Sequence, residues 1–353
     1  MTTRPSAESL TQDVAEWSHW RATHPAEIID LSGSDFTNAI LTEANLVGVN
    51  LSRASLVGAT LTRANLQGAD LTGALLVNAD LSAATLSGAR LRRADLSNAI
   101  LRDAVLENAN LTEAVLHGSN CQGVIFYDAQ LDVADLSQAN LQGAQFSGGH
   151  LACTDFSQAN LCNAGLVFID LREAIFAGAR FRQTDFMRSV LTEMNFSGYD
   201  LRNSTFERAQ MAGVNLTHAD LQGTRFSETH LEGAWLSHAR LQGAIFAAAY
   251  LDGAHFDHAN LQGARLTGSS LNNADLRDTN LIDADLRVVD ITGANLQGAQ
   301  LLDDPAQQEE AIEEYAHHSR QHLLSILRLT RSLANPTIFI AALQRKQLRG
   351  DTN

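Results

Sequence analysis

Every fifth residue from Leu31 to Leu301 is apolar, and the frame never slips. Of these 55 positions, 40 are Leu and 12 are Phe, and the remaining three are Cys121, Met211 and Ile291. With the apolar position called i, position i−2 is Ala in 36 pentads, as at Ala64, Ala69 and Ala94. Position i−1 is often Asp or Asn, as at Asp80, Asn110 and Asp135. Position i+2 takes 21 of the 24 glycines in the chain. A period of five fits neither a helix nor a strand. On a helix, successive i side chains would spiral around the axis by about 140° each and form no stripe. The pattern instead predicts a chain that turns a corner every five residues. The i side chain points inward and the small i−2 residue shares the interior. Gly at i+2 suits a corner with unusual φ or close backbone approach. Four such sides make a 20-residue coil, and coils stack ~4.8 Å apart as a solenoid.

Sorted at a 20-residue period, the aromatics are not scattered. Phe126, Phe146, Phe186, Phe206, Phe226 and Phe246 share one column with Leu166, and Phe156, Phe176, Phe196 and Phe256 share the column opposite. Two aromatic stacks are therefore expected inside the middle coils. Between Thr154 and Thr229 the i−2 positions become irregular, with Ile169, Thr184, Ser189, Met194 and Tyr199. Tyr199 is too large for a narrow interior, so a bulge or an outward turn is expected there.

Units such as Ala69-Asp70-Leu71-Thr72-Gly73 and Ala139-Asn140-Leu141-Gln142-Gly143 run in tandem over about residues 29–303. In this they resemble the pentapeptide-repeat family. The resemblance implies an all-β solenoid: a right-handed quadrilateral parallel β-helix of about 14 coils. It also implies that fold does not fix activity, since members differ in function. Some members mimic duplex DNA and bind DNA gyrase or another type II topoisomerase, giving resistance to quinolones or other poisons. This chain departs from that group in its length and in lacking an inserted loop.

The composition changes at both ends, giving three segments. Residues 1–28 carry a capping sequence, Ser6-Ala7-Glu8-Ser9, and then Val14, Trp17 and Trp20 at helical spacing. A short N-terminal helical cap over the first coil is expected. Residues 29–303 are the β-helix. Residues 304–353 begin with a turn at Asp304-Pro305 and show helical periodicity through Ile312, Tyr315, Leu323, Ile326, Leu327 and Leu333. Asn335-Pro336 breaks this helix before a second one. This C-terminal helical segment is expected either to cap the open solenoid edge or, as in topoisomerase-protecting members, also to form a homodimer contact through residues 305–350.

Net charge is −15, with 25 basic and 40 acidic residues, and Lys346 is the single lysine. Such a surface excludes a general nucleic-acid binder and permits a basic protein partner. Cys121, Cys153 and Cys162 make no disulfide framework. With no apolar leader and no run of 18 apolar residues, a cytoplasmic protein without membrane contact is expected. No HExxH, CxxC or Gly-x-Ser-x-Gly motif occurs, so neither an enzyme nor a cofactor is expected. Asn-Leu-Ser/Thr at Asn50, Asn110 and Asn215 is generated by the repeat itself. His218, His238 and His258 lie 20 residues apart and should stack on one corner, with Asp278 continuing the column. They are the candidate metal ligands, against the simpler reading of a solvated ladder.

Within residues 31–300 there are 28 acidic and 17 basic residues, and they are unevenly divided among the sides. One side carries Asp35, Asp95, Asp135, Asp155, Asp257, Asp275 and Asp278 against Arg277 alone. A neighbouring side adds Asp132, Glu173, Glu193, Glu232 and Asp252. Together they form an acidic strip, the candidate partner-binding surface. The expected function is a non-catalytic scaffold for a protein partner, with duplex mimicry directed at gyrase as the alternative. Solubilisation of a monotonous β-rod is the simpler account of the same charges.

Overall fold

The computed structural model describes residues 6–301. The chain divides into two compact units, Met1–Val190 and Leu191–Asn353. Within each unit every side is five residues long, and with one exception in the first unit it pairs in parallel with the side 20 residues on. Asp30, Asn50, Asp70, Arg90 and Asn110 form one such column in the first unit, and Asn215, Trp235, His255 and Asp275 form one in the second. Four columns per coil make the quadrilateral.

One pentad shows how the sequence builds its corner. The amide of Ala74 donates to Leu71 O at 2.9 Å, closing a turn over Leu71–Ala74. At i+2, 32 non-glycine residues and 21 glycines hold φ between 53° and 75°. Positive φ at the third turn residue only is the mark of a type II turn, which is why Gly and Asn recur there. Three further amides reach adjacent coils: Leu71 N to Arg90 O at 2.7 Å, Gly73 N to Arg92 O at 2.9 Å and Asp70 N to Val49 O at 2.9 Å. That leaves the i+1 amide. Thr72 N donates to the Asp70 Oδ1 carboxylate oxygen at 3.0 Å. All 26 Asp and Asn residues at i−1 from Asp30 to Asn295 accept the i+1 amide in this way, at 2.8–3.4 Å. Where Asp or Asn stands at i−1, the polar half of the repeat therefore completes the backbone hydrogen-bond account of the corner.

The i and i−2 side chains fill the bore and are almost all buried. In the first unit Phe126 stacks on Phe146 at 4.9 Å and Phe156 on Phe176 at 5.3 Å, and an edge contact, Phe146 to Phe156 at 5.8 Å, joins the two columns. In the second unit Phe206, Phe226 and Phe246 stack at 5.3 and 4.8 Å, with Phe256 edge-on to Phe246 at 6.1 Å. Hydroxyls at i−2 are paid for by bonding to the same corner of the preceding coil: Thr184 Oγ1 donates to Leu161 O at 2.8 Å and Thr229 Oγ1 to Phe206 O at 2.6 Å. Tyr199 is half-buried, yet its turn closes, Tyr199 N to Phe196 O at 3.2 Å, and Asp220 N still reaches Tyr199 O at 2.9 Å.

The N-terminal segment folds as two helices, α1 (Ala7–Gln12) and α2 (Val14–Thr23), with Ser6 forming a capping box and Asp13 capping α2. They cover the first coil with polar groups as well as apolar ones. That coil has no predecessor to bond its edge. Instead the buried Trp17 donates Nε1 to Asn45 O at 2.9 Å, Arg21 donates Nη2 to Val47 O at 2.6 Å, and Ser18 Oγ accepts Asn45 N at 3.0 Å. At the other end Leu286, Ile291 and Leu301 are only half covered. The expected C-terminal helices and dimer contact at 304–353 lie outside the described residues.

Candidate functional site

The acidic strip is placed by the corners that its residues build. Asp35, Asp95, Asp135 and Asp155 sit in one column of the first unit, with Ser55, Leu75, Val115 and Ile175 between and beyond them. Asp135 and Asp155 alone among these four are on adjacent coils. Each turns a carboxylate oxygen onto its own i+1 amide: Thr37 N, Ser97 N, Ser137 N and Ser157 N, at 2.8–2.9 Å. Hydrogen bonds from Thr37 hold Asp35 below the ordinary carboxylate range. In the second unit Asp275 is bound by the Arg277 guanidinium at 2.5 Å, which lowers its pKa. Asp257 accepts the Ser237 hydroxyl at 2.6 Å, and Asp278 lies 3.9 Å from His258 Nε2. In each unit the strip is thus a set of locally partnered carboxylates, and in the first unit the exposed Leu75 interrupts the column while the exposed Ile175 continues it.

His218, His238 and His258 do stack, at 4.8 and 4.9 Å with interplanar angles of 9°. Imidazole lone pairs lie in the ring plane, so parallel stacked rings do not converge their nitrogens on one ion. Among the described residues no group of three His, Cys, Asp or Glu side chains could hold a metal. Two further ladders share this unit, Trp235 on His255 at 4.0 Å and His230 on Tyr250 at 4.5 Å. The same 20-residue spacing that selected the histidines would have found them.

One feature of the first unit was not anticipated. Its lips are residues 149–153 and 168–173, on the side that contributes Asp132 and Glu173 to the strip. The rungs that should join them are missing: the amides of Leu151, Cys153 and Asp170 make no hydrogen bond within the protein. The bridge between His150 and Asp170 is likewise absent. The gap is a cleft of about 540 Å³ lined by Asp132, His150, Phe168, Asp170, Arg172 and Glu173 among others. The bore departs from its pattern at the same place, where the i−2 column runs Ala129, Gly149, Ile169, Ser189. Ile169 is fully buried in a place built for Ala. The turn it belongs to does not close. Its amide donates to Ser189 Oγ at 3.0 Å, and that hydroxyl donates to Leu166 O at 2.5 Å. Ala152 N turns to Asp132 Oδ1 at 3.0 Å, and Glu173 lacks the positive φ of its i+2 counterparts.

Five-residue corners with a Leu/Phe bore and outward polar columns define a repeat solenoid. The pentapeptide repeats family model matches eight times, over residues 29–68, 64–103, 99–143, 139–178, 166–203, 195–233, 234–273 and 269–301, and the chain belongs to that family. No curated protein sequence matches it. Among solved structures it is similar to HetL of Nostoc sp. strain PCC 7120, a pentapeptide repeat protein involved in heterocyst differentiation regulation (27% identity, 79% of this chain and 92% of that one, TM-score 0.15). It is also similar to QnrB1, a plasmid-mediated fluoroquinolone resistance protein (20% identity, 75% and 98%, TM-score 0.23). A pentapeptide repeat protein from the Arabidopsis thaliana thylakoid lumen matches at 32% identity over 32% of this chain and 69% of that one, TM-score 0.15. No helix among the described residues is long and apolar enough to cross a membrane.

Proposed function

We propose that this pentapeptide-repeat chain is a non-catalytic scaffold that binds a protein partner through its polar, net-negative sides. The observation that supports this most is the charge division: one side with seven acidic residues against Arg277, beside another rich in carboxylates. The hydrogen-bonded corners hold these groups before any partner arrives, so little order is lost on binding. A surface of one sign favours encounter with a basic partner.

Duplex mimicry toward gyrase is the narrower alternative, and charge density weighs against it. From Asp35 to Asp155 the i−1 column carries four carboxylates over six coil steps, about 29 Å at ~4.8 Å each. Duplex DNA carries a charge every ~1.7 Å. The test separates charge from corner-building. Asn keeps the acceptor that the i+1 amide needs, so Asp95→Asn, Asp135→Asn and Asp155→Asn together remove charge and leave the corners. A partner recovered from host extract on the full chain should bind the triple variant about tenfold or more weakly at low salt. Unchanged affinity overturns the strip. Inhibition of gyrase supercoiling by micromolar protein, lost in the variant, would favour mimicry instead.

A further inference from the structure

The breach at 149–173 is the sole place among the described residues of either unit where the coil-to-coil ladder opens within the unit. On one lip Leu151 and Cys153 offer N–H groups and Gly149 a C=O; on the other Asp170 and Arg172 offer C=O groups and Asp170 an N–H, and none of these is bonded within the protein. Backbone groups left open in this way are a template for another strand. The cleft, about 540 Å³, has the size of a ligand site.

Its lining selects by charge. Asp132, Asp170 and Glu173 face a single lining cation, Arg172, which is already held by both Asp170 oxygens at 2.6–3.2 Å. Asp132 accepts Ala152 N at 3.0 Å and Glu173 accepts the Cys153 thiol at 3.6 Å, and each carboxylate keeps further acceptor sites. On the rim the exposed Phe168 already carries a guanidinium, that of Arg188, 5.0 Å from its ring centre.

We propose that this breach receives an extended peptide segment of a protein partner that carries an arginine or lysine side chain. The segment bonds the open rungs by strand addition, as sheet edges do elsewhere, and its cation sits among Asp132, Asp170 and Glu173. This rests on the scaffold reading in taking the partner to be a protein, but the site is a different one from the Asp95–Asp155 column.

The test uses the full chain and two probes, acetyl-Val-Arg-Val-Arg-Val-amide and its counterpart with Glu for Arg. In the free protein the amides of Leu151, Cys153 and Asp170 should exchange about 100-fold or more faster than those of Leu131 and Val133, whose rungs are intact. The Arg peptide should slow them about tenfold and the Glu peptide should not. Asp170→Asn with Glu173→Gln removes two of the three carboxylates while Asn keeps the bond to the Arg172 amide, and should weaken the Arg peptide about tenfold. Slow exchange in the free protein overturns the breach itself. Fast exchange unmoved by millimolar Arg peptide, or moved equally by both peptides, overturns the docking. Either failure leaves the strip reading standing if the triple asparagine variant still loses its partner.

Discussion

Two stretches of one side of the first unit, three coils apart, share nearly everything except an intact ladder. At the first, Leu91 N reaches Asn110 O at 2.7 Å, Arg93 N reaches Thr112 O at 3.1 Å and Asn110 N reaches Ala89 O at 2.9 Å. At the second, the corresponding amides of Leu151, Cys153 and Asp170 have no partner in the protein. The bore leucines, Leu91 and Leu151, are both buried. What differs is the narrow column beside them, Ala89 and Ala109 in one place, Gly149 and Ile169 in the other. The large residue supplies most of the apolar burial, but the small one decides whether successive coils close. The comparison is broken most forcefully from inside. Leu91→Ala should cost about 2–5 kcal/mol, the loss of a buried Leu plus an unrelieved cavity. Leu151→Ala should sit at the low end of that range, because a cleft beside it lets water reach the void. Urea unfolding of both variants checks this; equal losses would mean that the cleft does not communicate with the bore.

A smaller effect sharpens the cause. Ala109 occupies in its coil the place that Ile169 occupies three coils later. Ala109→Ile should overpack the intact corner at a cost of about 1–3 kcal/mol. It should also open the Leu91, Arg93 and Asn110 amides to exchange. If stability falls while these amides stay protected, bulk at i−2 is not what opens the ladder, and the cause lies in Gly149 or Ser189, the other departures of that column.

The sequence pattern made the fold legible because both bore phases repeat without a slip, so the corner, the coil and the columns all follow from one number. The Asp and Asn phase was visible too, but its purpose was not: an unmet i+1 amide appears only once the other four amides of the pentad are assigned. That purpose also changes the strip, whose Asp35, Asp95, Asp135 and Asp155 are corner-builders first. The breach was half legible. Ile169 stood out as an irregular i−2 residue, yet a bulge or an outward turn was expected at the larger Tyr199, which is half-buried and whose backbone turn closes. A single residue's size is the wrong measure. The outcome depends on a column 20 residues deep in sequence, and on a serine hydroxyl that takes the place of a turn bond.

The smallest expected effect comes from the outward i+2 positions of the same two stretches. At the intact one, Arg93 and Arg92 bind Glu113 at 2.6 and 2.7 Å across the rung. At the open one the equivalent pair is Cys153 and Glu173, at 3.6 Å, and burial followed by the neighbouring Glu173 pushes the thiol above its ordinary range. The hydrogen bonds from Arg93 and then Arg92 pull Glu113 down from 4.5 to about 2. A carboxyl whose folded value is lowered stabilises the fold above its unfolded value, and that contribution is lost as pH falls from one value through the other. The window is therefore about pH 4.5 down to about 2. The pair is exposed, so the effect is modest and screened by salt. Across that window the melting temperature of the parent chain should fall further than that of Glu113→Gln, and added salt should shrink the difference. Parallel curves for the two proteins would show that the arginine clasp on Glu113 contributes nothing to holding this corner closed.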